Sequence, residues 1–109
     1  MLGVLGANAA SIDQLVHMRR TAVELFGTDG FTWSAAGVGY LGQFHLAATA
    51  LMLGGHMRVG LEDNLRVRSD ERAASNAALV EKALTLAPLL DREPVGADGA
   101  RRLLGLGVP

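Results

Sequence analysis

The sequence predicts an α/β fold with parallel strands, and three observations lead there. Short apolar runs alternate three times with helix-length segments of 3.6-residue periodicity. The connections between them are short and rich in glycine. Strands separated by helices pair in parallel through right-handed crossovers. A length of 109 residues, half of them hydrophobic, suits a single domain with a real core, taken here as residues 1–109.

The first βα unit pairs the strand "LGVLG" (Leu2 to Gly6) with a helix opened by Ser11 and Gln14, an S-x-x-Q capping box. That helix runs to Phe26, with Ile12, Leu15, Val16, Val23 and Phe26 as its expected core stripe and Gly27 as its stop. The second unit is "FTWSAA" (Phe31 to Ala36), the loop "GVG", and an apolar helix from Leu41 to Leu53 ended by Gly54 and Gly55. The third is "HMRVGLE" followed by a polar loop "RVRSDERAA" and a helix from Ser75 or Asn76 to about Leu90, which Pro88 should shorten or kink. A last short helix, Asp98 to Leu104, stops at Gly105. Met1 leads directly into the first strand, and three strands leave open edges and an uncovered face, so the chain reads as the end of something larger.

Composition excludes several function classes. Ten basic against eleven acidic residues give no electrostatic case for nucleic acid or an anionic membrane surface. No cysteine is present, which excludes disulfides and thiolate metal sites. The apolar start lacks a basic n-region, and no run reaches the roughly 18 residues a membrane span needs. A cytoplasmic protein is the expectation.

The chemistry concentrates in "GGHMRVGLEDN", Gly54 to Asn64. Asp and Asn are poor strand formers, and a buried Arg or carboxylate is costly unless paired or metal-bound. Strand alternation places His56, Arg58, Gly60 and Glu62 on one face and Met57, Val59 and Leu61 on the other. Arg58 and Glu62 would then lie about 13 Å apart along the strand, with Asp63 turning over its end. Ligand sites in parallel sheets gather at strand carboxyl ends, here "GAN", "GVG" and "EDN". A structural ion pair between Arg58 and an acid fits the same pattern.

A second motif competes. "GVGYLG", Gly37 to Gly42, is a literal G-x-G-x-x-G between a predicted strand and helix, and Glu62 lies 20 residues beyond Gly42. That is the context of a dinucleotide-binding fingerprint, although a whole βα unit precedes it. A glycine-rich loop holding a phosphate at a helix end is the simpler alternative. His17 is expected to face solvent, His45 to be a core histidine and His56 to begin the third strand; none forms an H-x-H or H-E-x-x-H pair. Ser34 lies inside a strand, and no G-x-S-x-G elbow exists.

The stretch "GGHMRVGLEDN", with "WSAAGVG" before it and "SNAALVEKALTLA" and "RRLLGL" after it, resembles the β-keto acid cleavage enzymes, a family that includes the 3-keto-5-aminohexanoate cleavage enzyme. The resemblance runs from "LGVLG" to "LLGL" and implies the last three strands of a zinc-dependent (β/α)8 TIM barrel. It further implies conversion of a β-keto acid and acetyl-CoA into acetoacetate and a new acyl-CoA. By resemblance, Glu62 is a zinc ligand, Asp63 the general base that takes a proton from the acetyl methyl group, and Arg58 the partner of that base. Gly37 and Gly39 would touch substrate or CoA. The family's histidine zinc ligands form an H-x-H on an early strand, and this sequence has none. The chain is therefore expected to be inactive alone, and to need the remainder of the barrel or a second copy. A dinucleotide-binding module and a non-catalytic oligomerising fragment stand as alternatives.

Overall fold

The computed structural model describes residues 1–107. Local sequence sets its helices. Ser11 adopts extended backbone and its hydroxyl accepts from the Gln14 amide, opening α1 (Ile12–Phe26), which Gly27 ends at φ 79°. Helix α2 (Tyr40–Met52) ends in a Schellman turn: Gly54, at φ 82°, donates to Leu51, and Gly55 to Ala50. Ser75 caps α3 (Asn76–Leu89) by accepting from Ala78. Pro88 falls in the last turn of α3, where the helix stops one residue later. Asp91, at φ 53°, takes the left-handed position there, and Arg92 donates back to Ala87. Helix α4 (Ala97–Leu103) begins one residue earlier than expected and ends ahead of Gly105 at φ 67°.

The strands are shorter than expected. β1 (Ser34–Ala35) and β2 (His56–Met57) pair in parallel, Ser34 with His56 and Ala35 with Met57. The expected first strand contributes only a parallel bridge, Leu2 to Gly37, secured by Leu2 donating to Ala36 and Val38 donating to Leu2. The rest of "LGVLG" bends away, with Gly3 and Gly6 both at positive φ. Among the described residues the result is an α/β fold with four helices and a small parallel sheet. The expected polar loop after the site is instead an antiparallel hairpin, β3 (Arg66–Arg68) and β4 (Glu71–Arg72). The Lys82 ammonium anchors it by donating to the Val67 carbonyl while lying over the rings of Tyr40 and Phe44.

Helix α2 is the centre of the molecule. Leu46 and Ala50 are fully buried against Leu2, Leu15 and Ala35, with Ala10 and Trp33 closing the cluster. Burying a leucine of this kind contributes about 1.5–3 kcal/mol. A Cβ on Gly55 would sit 2.6 Å from the Trp33 indole, so β2 starts where the chain can pass beneath that ring. The expected stripe of α1 is corrected: Leu15 is buried, but Ile12, Val16 and Phe26 are exposed and Val23 is half-buried. The sheet beneath α1 is too narrow to cover more than one turn of it. His45 is also corrected, lying exposed on α2 because the core faces of that helix are taken by Leu46, Ala47 and Ala50. No described helix is long and apolar enough to cross a membrane.

Candidate functional site

Regular pairing of β2 ends as the Arg58 amide donates to the Ala35 carbonyl. Beyond it the chain does not continue as a strand, as alternation alone predicted. The Gly60 carbonyl accepts from the amides of both Asp63 and Asn64, folding residues 60–64 into a turn. This corrects the expected 13 Å separation of Arg58 and Glu62. The turn carries Glu62 back over the strand end, and its Oε2 accepts from the Arg58 guanidinium at 2.5 Å. Asp63 Oδ2 lies 3.3 Å from the same guanidinium nitrogen. Arg58, Glu62 and Asp63 are thus one cluster, as the sequence suggested, but joined by a turn rather than by strand alternation.

The two carboxylates differ in environment. The Glu62 side chain is 79% exposed, whereas that of Asp63 is 2% exposed. Asp63 Oδ2 is buried without a hydrogen bond of good geometry, and the Arg58 charge beside it offsets its desolvation. One carboxylate is largely exposed and paired with Arg58, and the other is buried against the same cation. Such a pair can divide the work of coordination and proton transfer.

Three amide side chains hold this turn, and motif reading passed over two of them, Gln43 and Asn76. Gln43, buried within α2, donates from Nε2 to the Gly60 carbonyl at 3.1 Å and accepts from Asn64 Nδ2 at 3.2 Å. Asn64 also donates to the Arg66 carbonyl and accepts from the Arg66 amide, linking the turn to β3. Asn76 at the start of α3 accepts from the Leu61 amide at 2.8 Å. The one legible signal was an amide side chain in an otherwise apolar helix.

The glycine loop meets the site through its main chain. Gly39, at φ 85°, donates its amide to the Asp63 carbonyl at 2.7 Å. That amide is thereby committed within the protein. Gly37 has a packing role, since a Cβ there would lie 2.5 Å from the Gly42 carbonyl and 2.7 Å from Leu46. A Cβ on Gly42 would lie 2.9 Å from the Ala10 Cβ.

Among the described residues, no three His, Cys, Asp or Glu side chains gather as a metal site would require. His17 and His45 are exposed, and His56 begins β2, away from the carboxylates. Zinc sites take three or four protein ligands, so the donor set of this chain does not by itself fit that ion. Glu62 is one outward-facing oxygen donor and no more.

The beta-keto acid cleavage enzyme family model matches residues 1–106. A 3-keto-5-aminohexanoate cleavage enzyme from Fusobacterium nucleatum subsp. nucleatum is 44% identical over 104 residues, covering 94% of this chain and 36% of that protein. A 3,5-dioxohexanoate:acetyl-CoA acetone transferase from Paraburkholderia graminis is 39% identical over 106 residues, covering 97% of this chain and 34% of that protein. A 3-oxoadipate:acetyl-CoA acetyltransferase from Cupriavidus necator is 45% identical over 75 residues, or 69% of this chain and 26% of that protein. The chain spans about a third of the length of the first two relatives. It belongs to the beta-keto acid cleavage enzyme family.

Proposed function

We propose that this chain is the last part of a (β/α)8 barrel whose complete form exchanges acyl groups between a β-keto acid and acetyl-CoA, giving acetoacetate and a new acyl-CoA. The observation that carries this reading is the Arg58–Asp63 contact at the end of β2, with the Asp63 carboxylate buried and Glu62 outward beside it. Relatives named for acetyl-CoA as co-substrate support the second substrate. Each named relative acts on a different acid, so the keto acid's side chain is left open.

In this reading Asp63 is the general base and Arg58 its partner. Carbon balance moves the first proton abstraction from the acetyl methyl group to the methylene between the keto acid's two carbonyls. Only a bond from that carbon to the acetyl group lets acetoacetate leave with the original carboxylate. Asp63 takes the methylene proton, and the resulting enolate carbon attacks the thioester carbonyl, expelling the CoA thiolate. The thiolate then adds to the original ketone carbon, the carbon–carbon bond to the methylene breaks, and Asp63 returns its proton to that carbon. Arg58 keeps the base oriented and offsets negative charge nearby. Gly37 and Gly39 form a loop beside this corner that substrate or CoA could approach. Glu62 would give one ligand to zinc, and the other ligands must come from outside this chain. The chain alone is accordingly inactive.

The dinucleotide reading is weaker, because the Gly39 amide is bonded to Asp63 and Glu62 to Arg58. An oligomerising fragment is favoured by the exposed Leu5, Leu41, Met52 and Leu89. Co-expression with the preceding two thirds of the Fusobacterium nucleatum relative separates these readings. The account expects zinc and acetoacetate formation only in the complemented species. A self-associated chain that neither joins the missing part nor gains activity would favour the oligomerising fragment.

A further inference from the structure

We infer that Gln43 is a positioning residue for Asp63, acting through a buried amide clamp that fixes the 60–64 turn. The inference rests on the base role proposed for Asp63, but its geometry stands apart from that role. Gln43 is 1% exposed in the first turn of α2, where an apolar residue would pack at no polar cost. Both ends of its amide are used on the turn: Nε2 on the Gly60 carbonyl and Oε1 on Asn64 Nδ2. Asn64, also buried, spends its remaining capacity on the main chain of Arg66. The Gly60 carbonyl is the same oxygen that closes the turn by accepting from Asp63 and Asn64. The Gln43 side chain therefore grips the turn at its first residue and its last.

Asp63 lies between those grips, with its carbonyl tied to Gly39 and its carboxylate against Arg58. Gly39 and Gln43 bracket the first turn of α2, and the Gln43 amide donates to the Gly39 carbonyl. One rigid helix end thus fixes both the main chain and the flanks of the base. Asn76 adds a third, exposed support from α3 through the Leu61 amide. A reacting group held this way by its main chain needs fewer contacts from its own carboxylate to keep its orientation.

The test combines amide hydrogen exchange of the chain by NMR with kinetics of the complemented enzyme. Gln43→Leu should speed exchange of the Gly39, Asp63 and Asn64 amides by about tenfold or more, leaving α1 amides unchanged. In the enzyme it should lower kcat about tenfold or more while KM for the keto acid stays within about twofold. Thr49→Val removes a different buried polar group of α2, a hydroxyl bonded to the His45 carbonyl, and should change neither readout. Should Gln43→Leu fail to fold, Gln43→Glu, which loses the donor to the Gly60 carbonyl, must speed exchange of the Asp63 and Asn64 amides in the same local pattern. Gln43→Glu retains the acceptor for Asn64 and should recover part of kcat. Uniformly faster exchange, or unchanged exchange at the turn, would overturn the clamp. A clamp seen by exchange with full turnover in Asp63→Asn would instead refute the base role and leave the clamp standing.

Discussion

The amide of Gly39 donates to the main-chain carbonyl of Asp63 across 2.7 Å, joining the glycine loop to the acidic turn. A sequence motif that looks like a phosphate cradle is here a brace for a buried carboxylate. Gly39 sits at φ 85° with open space where a Cβ would point. Gly39→Ala should therefore destabilise through backbone strain alone, by about 1–3 kcal/mol, because φ 85° with ψ 160° is a region essentially reserved for glycine. Gly37→Ala meets the Gly42 carbonyl and Leu46 instead and should cost more, about 3 kcal/mol or above, because the clash is partly with backbone. Urea titration of both variants checks the order, and equal costs would mean the loop has relaxed.

The three charges should respond unequally to removal. Glu62→Gln disturbs an exposed pair and should change stability by less than about 0.5 kcal/mol. Arg58→Ala strands the buried Asp63 carboxylate and should cost about 1–3 kcal/mol, less than a fully buried pair because Arg58 is half exposed. Adding Asp63→Asn to Arg58→Ala removes the stranded charge and should restore part of the loss. A double-mutant cycle by chemical unfolding measures this coupling.

At the end of α3, Asp91 holds a left-handed conformation that glycine adopts freely. Asp91→Gly should raise stability by about 0.5–1 kcal/mol, since the Schellman turn through Arg92 and Ala87 remains. Thermal unfolding of the two proteins side by side gives the answer, with a lower midpoint for Gly contradicting it.

Zinc binding should depend on residues outside the chain. Equilibrium dialysis of the chain alone should leave it without stoichiometric zinc, because Glu62 is one donor where three or four are needed. After complementation one zinc per assembly is expected, weakened by Glu62→Gln. Tight zinc binding by the isolated chain would show a ligand set other than the one proposed.

Much of the fold was legible because it rests on local signals. Ser11, Ser75, Gly27 and Gly54 bound their helices as capping chemistry requires. Strand lengths were not legible, because pairing depends on neighbours that residue alternation cannot see. "HMRVGLE" alternates well, yet the buried Gln43–Asn64 bond lies 21 residues apart in sequence and turns the chain at Gly60. The β3–β4 hairpin was hidden for a similar reason: its sides are polar, and its support is the Lys82 ammonium from α3. Arg58, Glu62 and Asp63 were found because charged residues at a strand end are rare enough to notice. Gln43 and Asn76 carry no charge and belong to no motif, so only their contacts reveal them.

The most direct measurement of the central claim is deuterium exchange at the keto acid's methylene, followed by NMR in heavy water with the complemented enzyme and no acetyl-CoA. If Asp63 is the base, the wild-type protein exchanges one methylene hydrogen faster than buffer, and Asp63→Asn falls to the buffer rate. Arg58→Ala should exchange at a reduced rate, and so should a Gly39 variant that loosens the Asp63 main chain. Exchange at the wild-type rate in a folded Asp63→Asn protein would contradict the account.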